Sequence, residues 1–377
     1  MSPNARTRRR TRVLHIVPDL GVGGLPRVAE TLCRASDSER FDARILCLNY
    51  LGAIGEQLRR DGFVVHELPR PDHGPDYFAS RRIAELLRRE HIDVMHTHNT
   101  QALMHGGLAA MQAPGRRLIH TDHARSFPDS FKYHVIERIM STVAFRVVGV
   151  SEHTTDNLHR YEWIPRRKLV TIPNGVDGGF VSTGIDRPSV RLGLGVPDDA
   201  EVLLFAARLE EQKGGTFLLQ ALAHLAPTRP RLHLVLAGEG SLADELASEA
   251  VALGISDRVH FLGVRLDVPQ LLRAVELFVL PSVWEGLPMV ILEALAAGCP
   301  VVATDVGGIS SAIRDGVTGA LVSPRDVSGL ADAIGRTLDS PEDRERFARE
   351  GRALFSAVFS AEAMTRRYEA LYVGGNG

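Results

Sequence analysis

Short apolar runs of strand length, flanked by polar or turn-forming residues, recur along the chain. In the first half they lie at 13–17, 43–48, 92–96, 117–120 and 146–150. Amphipathic stretches rich in arginine, such as 79–90, lie between them. Because strands that alternate with helices form a parallel sheet covered by those helices, the first half is predicted to be an α/β domain.

The same pattern restarts after a passage rich in glycine and proline at 173–197, where we place a domain boundary. Strands are predicted at 201–206, 232–237, 258–262, 277–280 and 300–303. Helices are predicted at about 214–226, 241–253, 288–298 and 326–338, and a last helix at about 360–373 follows a break near 356–360. A length of 377 residues suits two α/β domains of about 150–200 residues each.

Composition and charge exclude several classes of protein. Hydrophobic residues make up 44% of the chain and charged residues 24%, and the formal net charge of -2 gives no sign of nucleic-acid binding. Cys33, Cys47 and Cys299 lack the spacing of a disulfide framework or a structural zinc site, which favours a reducing cytoplasm. No apolar window is long enough to predict a membrane span.

The first twelve residues are strongly basic, with arginine at positions 6, 8, 9, 10 and 12. The apolar run that follows is only of strand length and becomes polar at Asp19, unlike a signal peptide. We interpret 1–12 as a disordered basic tail. It is either a solvated terminus or a segment attracted to an anionic membrane surface.

The segment 277–298 has the pattern of an anion-binding site. A buried strand ends in a loop, and Pro288 stands where the first turn of a helix tolerates proline. The backbone amides that would bind a diphosphate there are those of Gly286, Leu287 and Met289. Glu293 lies about one turn into the helix, where its carboxylate could accept hydrogen bonds from ribose hydroxyls. Glu285 precedes the helix and faces the group esterified to the phosphate.

Two cationic side chains follow the strand at 201–206. Arg208 and Lys213 lie on the loop before a helix that opens at Gly214 and Gly215. Together they could stabilise the negative charge that develops on a departing diphosphate without a metal ion. Alternatively, Arg208 and Lys213 are an ordinary solvated pair on the surface. The presence of the 285–293 pattern in the same chain favours the diphosphate-binding role.

The pattern Glu285-x7-Glu293, with Arg208 and Lys213 upstream, resembles the retaining GT-B glycosyltransferases of family 4. Further matching pieces extend nearly from end to end, at 21–27, 96–99, 120–123, 150–151, 170–177, 238–240, 261–263 and 307–322. The resemblance implies an α/β fold of two Rossmann-like domains with parallel sheets facing across a cleft. It also implies an acceptor-side domain at 13–183, completed by a crossing helix at 358–374, and a donor-binding domain at 190–355.

The resemblance further implies an activity: transfer of a sugar from a UDP- or GDP-sugar to a glycan, a lipid-linked or a small-molecule acceptor, with retention and without a metal or other cofactor. By that resemblance Glu285 contacts the donor sugar, Glu293 binds the ribose, and Arg208 and Lys213 hold the diphosphate. A protein nucleophile is not expected, because in the favoured route the donor's own phosphate oxygen deprotonates the acceptor.

The first domain contributes fewer residues to the resemblance. Gly23 and Gly24 would close over the phosphates or the acceptor, and His123 is the nearest match to a histidine placed against the transferred sugar. The histidines at 96, 98, 120 and 123 could instead suggest zinc, because residues i and i+2 of a strand share a face. For His96 and His98 we favour support of the site, contact with the acceptor or an ordinary core role.

Some patterns depart from the family or from other nucleotide-binding classes. Pro26 breaks the G-x-G-x-x-G pattern, so a dinucleotide-binding enzyme is disfavoured. The family often has Pro-Glu where this chain has Ser310 and Ser311, which indicates a different acceptor contact. The chain has no Walker A motif, and it has no D-x-D motif of the kind that metal-dependent transferases use.

Two alternative functions remain open: a nucleotide-sugar epimerase of the same fold, and a catalytically inactive nucleotide-sugar-binding protein. The segment 124–138 mixes aromatic and basic residues. It suits peripheral contact with an anionic membrane, at the inner face of the plasma membrane, or a polyprenyl-linked acceptor, although an ordinary amphipathic helix would look the same.

Overall fold

The computed structural model describes residues 9–21, 23–68, 76, 78–123, 131–179, 184 and 186–375. The chain divides into two units, one formed by Met1–Gly175 with Ala361–Gly377 and the other by Val176–Ser360. Each unit contains one parallel sheet with helices, so the predicted α/β class is confirmed. The division falls at Gly175, inside the glycine- and proline-rich passage and before the boundary predicted at 183–190.

Unit 1 has a seven-stranded parallel sheet in the order β3-β2-β1-β4-β5-β6-β7. Its strands are β1 (Thr11–Asp19), β2 (Phe41–Tyr50), β3 (Val64–Glu67), β4 (Val94–His98), β5 (Arg117–Asp122), β6 (Arg146–Gly149) and β7 (Leu169–Thr171). Its helices up to β7 are α1 (Gly24–Ala35), α2 (Gly52–Arg60), α3 (Ala79–Arg89), α4 (Asn99–Gln112), α5 (Phe131–Met140) and α6 (Glu152–Glu162). Because β1 lies between β2 and β4, the order of the strands reverses beside it.

The amphipathic pattern of α3 explains how one face of this sheet is covered. Ile83, Leu86 and Leu87 follow helical spacing and are buried in a core cluster with Leu14 and Met95 of the central strands. The arginines of the same helix stay outside this cluster. The arginine-rich stretch at 79–90 is therefore an ordinary surface helix of an α/β unit.

The interpretation of 1–12 as a disordered tail is corrected for its last residues. Strand β1 begins at Thr11, and the Arg12 guanidinium donates to the Glu90 carbonyl at 2.9 Å while its backbone N–H donates to Asp93 at 2.9 Å. Arg9 donates to the His91 carbonyl at 2.9 Å. Acceptors between α3 and β4 therefore bind these arginines, whereas residues 1–8 lie outside the described residues.

Unit 2 has a six-stranded parallel sheet in the order β10-β9-β8-β11-β12-β13. Its strands are β8 (Glu201–Ala206), β9 (Leu232–Ala237), β10 (Val259–Phe261), β11 (Leu277–Leu280), β12 (Val301–Thr304) and β13 (Ala320–Val322). Its helices are α7 (Arg187–Leu192), α8 (Gly215–Leu225), α9 (Ala243–Ala252), α10 (Val268–Ala274), α11 (Met289–Ala297), α12 (Ile309–Ala312), α13 (Val327–Asp339) and α14 (Pro341–Leu354). The central strands are buried on both faces, which explains their unbroken apolar sequences.

The chain returns to unit 1 at its end. Helix α14 continues into a π-helical turn at Phe355–Phe359, and Ser360 then adopts an extended conformation. The last helix, α15 (Ala361–Tyr372), belongs to unit 1 and buries Tyr368 and Tyr372 almost completely. The Asp37 backbone N–H donates to Glu369 of this helix at 2.8 Å. The predicted helix at 358–374 is therefore present at nearly the same positions.

Candidate glycosyl-transfer site

The strand order of unit 2 reverses at β8, which has β9 on one side and β11 on the other. In open parallel sheets, ligands bind outside the carboxyl ends of the strands at such a reversal, because the two loops leave in opposite directions. Arg208 and Lys213 follow β8, and Glu285 follows β11. Arg208, Lys213 and Glu285 therefore lie on the two loops where the topology predicts a ligand site.

Hydrogen bonds through Gln212 join the loop after β8 to the loop after β11. The Val283 N–H donates to the Gln212 carbonyl at 2.8 Å, and the Gln212 side-chain amide donates to the Trp284 carbonyl at 3.0 Å. Arg208 Nη2 donates to Gln212 Oε1 at 3.3 Å. Gln212 thus orients the Arg208 guanidinium and also fixes the spacing of the two loops.

Lys213 and Glu285 form an ion pair. Lys213 Nζ lies 2.5 Å from Glu285 Oε1, and the Ser282 hydroxyl donates to the same oxygen at 2.7 Å. The Glu285 side chain is 4% exposed and that of Lys213 is 14% exposed. An ammonium has three N–H donors, so an ammonium held by Glu285 still has donors for a further anion. The sequence predicted separate roles for these two side chains, whereas the structure brings them together.

Two glycines allow the loops to approach each other. Gly214 has φ +71°, and a Cβ at this position would lie 2.1 Å from the Pro281 carbonyl oxygen. Gly307 has φ +59°, and its Cβ would lie 1.9 Å from the Glu285 carbonyl oxygen. Both conformations are strained for other residues, and neither gap admits a side chain. The loops that carry Lys213 and Glu285 therefore require glycine at 214 and 307.

Helix α11 begins one residue later than predicted. Pro288 is its N-terminal capping residue, with φ -71° and ψ 127°, and does not lie in the first turn. The Gly286 carbonyl accepts from the Gly308 N–H at 2.6 Å. The Leu287 and Met289 side chains are buried. Glu293 lies one turn into α11 and is half-buried.

In unit 1, a cluster of buried histidines lies beneath the carboxyl ends of β1, β4 and β5. His15 of β1 pairs in register with His96 of β4. His96 has hydroxyl partners at both ring nitrogens, with Tyr372 at 2.8 Å from Nδ1 and Thr121 at 2.8 Å from Nε2. His98 also has two partners: His123 Nε2 at 2.9 Å from its Nδ1 and His15 Nδ1 at 3.2 Å from its Nε2.

Burial keeps these histidines neutral. It lowers the pKa of His15 to about 3 and that of His123 to about 4, and it holds the pKa of His96 and His98 well below the usual value. The alternative interpretation was a zinc ion bound by His96, His98, His120 and His123, whereas in the structure the ring nitrogens of His15, His96 and His98 lie within 4.8 Å of one another. Each ring nitrogen of His96 and His98 has a hydroxyl or imidazole partner. These two side chains therefore belong to a hydrogen-bonded network.

The remaining predicted residues of unit 1 follow strands of its sheet. Gly23 immediately precedes α1 and Gly24 is its first residue, after strand β1. His123 follows β5, and its backbone N–H donates to Asn99 Oδ1 at 3.2 Å. Gly23, Gly24 and His123 therefore lie at the carboxyl edge of the unit 1 sheet. The segment 124–130 lies outside the described residues.

The comparisons with known proteins agree with this arrangement. The family described as "Glycosyltransferase Family 4" matches residues 22–178, and that described as "Glycosyl transferases group 1" matches residues 186–354. The D-inositol 3-phosphate glycosyltransferase of Actinosynnema mirum is 35% identical over 280 residues, which cover 68% of this chain and 67% of the relative. The chain belongs to the GT-B glycosyltransferases of the family 4 type.

Two further similarities extend over most of this glycosyltransferase. The UDP-Gal:alpha-D-GlcNAc-diphosphoundecaprenol alpha-1,3-galactosyltransferase of Escherichia coli is 25% identical over 346 residues, covering 88% of this chain and 89% of the relative. The crystal structure of Anabaena Alr3699/HepE in complex with UDP has a TM-score of 0.85 at 23% identity, covering 96% of this chain and 100% of the other. The sequence-based predictions of family, enzyme class and fold are confirmed.

Sequence reasoning missed several residues of the glycosyltransferase that support the predicted ones. Ser282 acts through a hydrogen bond within the loop after β11, and Gln212 acts through hydrogen bonds within the loop after β8 and to the loop after β11; no periodic pattern predicts such contacts. His15 lies in an apolar strand, and only the register with β4 brings it to His98. Gly307 could have been found, because it opens the matching piece at 307–322.

No helix within the described ranges is long and apolar enough to cross a bilayer.

Proposed function

We propose that this glycosyltransferase takes a sugar from a nucleotide diphosphate sugar, a UDP- or GDP-sugar, and transfers it with retention of configuration. The observation that carries the proposal is the pairing of Lys213 with Glu285 at the strand reversal of unit 2, beside Arg208 and the start of α11. Such a site combines cations with the amides of a helix N-terminus, both of which bind a diphosphate.

Each predicted residue has a role in this proposal. Arg208 and Lys213 stabilise the leaving diphosphate together with the backbone of Gly286, Leu287 and Met289. Glu293 binds the ribose hydroxyls. Glu285 contacts the donor sugar and orients Lys213. Gly23, Gly24 and His123 of unit 1 approach the phosphates, the acceptor and the transferred sugar.

We propose that the reaction needs no metal ion. The cations of Arg208 and Lys213 neutralise the charge that a divalent ion stabilises in other transferases. The retaining route, in which the donor phosphate deprotonates the acceptor, rests on the family resemblance. It asks no protein side chain to act as nucleophile.

The relatives support a UDP-sugar as the first donor to test. The Escherichia coli relative is named for UDP-Gal, and the Anabaena protein was crystallised with UDP. The name of the Escherichia coli protein also places its acceptor sugar on a diphosphoundecaprenol carrier. A lipid-linked acceptor is therefore the class that we favour here, over a free glycan or a small molecule.

An exposed aromatic surface on unit 1 agrees with a lipid-linked acceptor. Phe131 on α5 and Trp163 at the end of α6 are 70% and 52% exposed, and their rings lie 6.2 Å apart. Ile139 of α5 is also exposed, and Arg160 and Arg167 flank Trp163 in the sequence. Aromatic side chains beside arginines suit the interface of an anionic bilayer. We propose peripheral contact with the cytoplasmic face of such a membrane.

The donor can be identified by a thermal-shift screen of UDP- and GDP-sugars against the full chain. Hits are then incubated with extracted lipids and glycans, and the products are analysed by mass spectrometry. We expect stabilisation by a nucleotide diphosphate sugar and a product heavier by one sugar residue. Failure of every nucleotide sugar to stabilise the chain would contradict the proposed function.

A further inference from the structure

The hydroxyl of Ser282, a completely buried residue of the loop after β11, contacts the ion pair of Lys213 and Glu285. It donates to Glu285 Oε1 at 2.7 Å, and Lys213 Nζ lies 2.5 Å from the same oxygen. Both bonds to the carboxylate therefore end on one oxygen. Any change at the Ser282 hydroxyl must affect where this oxygen lies, and with it the ammonium that it holds.

The backbone of the loop is held by other groups. Thr304, at the end of β12, donates its hydroxyl to the Ser282 carbonyl at 2.5 Å. Two hydrogen bonds to Gln212 hold the next two residues, and the Gly286 carbonyl accepts from the Gly308 N–H at 2.6 Å. Because these bonds do not involve the Ser282 hydroxyl, loss of that hydroxyl would leave the path of the loop intact.

The side chains of Glu285 and Lys213 differ from this backbone, because each has several rotatable bonds. An ammonium is a compact charge on a flexible stem, so an ion pair alone restricts the two side chains weakly. The hydrogen bond from Ser282 adds a directional contact, and it comes from a residue whose backbone is fixed. It restricts the rotation of the Glu285 carboxylate and thereby the position of the Lys213 ammonium.

The position of this ammonium affects how tightly an anion can bind. One of its three N–H donors suffices for Glu285, so it retains donors for an anion. A lysine that is already in place loses little rotamer freedom when the anion arrives, whereas a mobile one loses more. A fixed Lys213 should therefore bind a diphosphate more tightly than a mobile one.

We propose that Ser282 is a positioning residue, which acts through Glu285 to hold the Lys213 ammonium where a diphosphate binds. Because Ser282 is completely buried, it acts through Glu285 and not by contact with the ligand. The part that concerns the diphosphate rests on the proposed function, whereas the effect of Ser282 on Lys213 does not.

The low lysine content of the chain makes the effect on Lys213 measurable. The three lysines are at positions 132, 168 and 213, so NMR of the full chain labelled with ¹³C-lysine resolves the ε-methylene signal of each, and Lys213→Arg assigns that of Lys213. In Ser282→Ala we expect the Lys213 signal to move towards that of a free lysine and to show greater mobility in relaxation measurements. Lys168, which donates to three backbone carbonyls of unit 1, is the internal reference.

Calorimetry with UDP and GDP measures the consequence for anion binding. Ser282→Ala should weaken binding of the nucleotide that the wild type binds by about fivefold, the effect of losing one hydrogen bond. Ser151→Ala is the matched control. Ser151 of unit 1 is also buried, its hydroxyl bonds to the residue three positions on, and its carbonyl also accepts from a threonine hydroxyl. This control should lower the urea midpoint and leave the Lys213 signal and the affinity unchanged.

A Lys213 signal that is the same in the wild type and in Ser282→Ala would overturn the inference, and so would an unchanged affinity for the nucleotide. Equal changes in Ser151→Ala and Ser282→Ala would also overturn it, because they would reflect a general loss of stability. If the wild type binds neither UDP nor GDP, the proposed function fails. The Lys213 signal then still decides whether Ser282 positions the ammonium.

Discussion

At the scale of single residues, the proposed binding of a diphosphate depends on the ion pair of Lys213 and Glu285. The carboxylate neutralises the ammonium in a nearly buried position, and Ser282 donates to the same oxygen. A bound diphosphate adds negative charge to this pair. We infer that Arg208 and the amides at the start of α11 supply the additional positive potential.

Glu285→Gln should weaken both the fold and the reaction. The variant leaves the Lys213 ammonium without its charged partner in a site that is 14% exposed, and loss of one partner of a buried pair costs about 3–5 kcal/mol. We expect a lower midpoint in urea unfolding and a kcat that falls more than the affinity for free nucleoside diphosphate. Equal losses in nucleotide and nucleotide-sugar affinity with an unchanged kcat would contradict the role at the sugar.

Glu293→Ala should weaken binding of the nucleotide itself, because charge-assisted hydrogen bonds contribute about 1.5–3 kcal/mol each. We expect at least a tenfold loss of affinity for free nucleoside diphosphate in calorimetry. Glu245→Ala, on the exposed face of helix α9 in the same unit, is the matched control. An unchanged affinity in Glu293→Ala would show that Glu293 does not bind the nucleotide.

At the scale of elements, the surface formed by α5 and the end of α6 is expected to bind anionic bilayers. Flotation of the full chain with vesicles of phosphatidylglycerol and phosphatidylcholine measures this binding. We expect binding that rises with the anionic fraction and falls with salt, and that Phe131→Ser with Trp163→Ser strongly reduces it. Leu192→Ser is the control, because it changes an exposed apolar residue of unit 2. Two results would contradict this membrane-binding surface: equal binding to neutral and to anionic vesicles, or equal binding by the wild type and the double variant.

The elements also show how much of the fold could be predicted from the sequence. Strands β8, β9 and β11 lie where their apolar runs predicted them, because both of their faces are buried. Strands β3, β7 and β13 escaped prediction. Each lies at an edge of its sheet, is only three or four residues long and is only partly buried, so its apolar residues form too short a run to predict a strand.

The site was predictable in its residue types and less so in its contacts. Pro288, after a strand and a loop, predicted a helix start of the kind that binds an anion, and α11 begins one residue later than predicted. The contact of Lys213 with Glu285 joins residues on different loops, and strand order alone brings these loops together. The hydrogen bonds that connect His15, His98 and His123 depend in the same way on the register of neighbouring strands.

At the scale of the whole molecule, the buried histidines should make stability depend on pH. The pKa of His15 is lowered to about 3 and that of His123 to about 4, from an ordinary 6.5, so the folded chain binds fewer protons than the unfolded chain between these values. Stability should therefore be full above about pH 6.5 and fall as the pH drops towards 4, by up to about 1.4 kcal/mol per pH unit for each such histidine.

Urea unfolding of the full chain at several pH values between about 7.5 and 5 measures this dependence. His153→Gln, which removes an exposed histidine of α6, should leave the slope unchanged. A free energy of unfolding that stays constant across this range would show that the buried histidines do not destabilise the folded chain when the pH falls, contrary to this prediction.

The central claim is that the chain transfers sugar to an acceptor without a metal ion. The most direct measurement follows nucleoside diphosphate release from the donor in excess chelator, with and without a lipid-linked acceptor, in wild type and in Lys213→Ala. We predict release that depends on the acceptor, persists in the chelator and falls at least about a hundredfold in Lys213→Ala. Conversion of the nucleotide sugar into an isomer without acceptor would indicate an epimerase. Activity that the chelator abolishes and a divalent ion restores would contradict the metal-free account, and absence of turnover with every donor would indicate a binding protein.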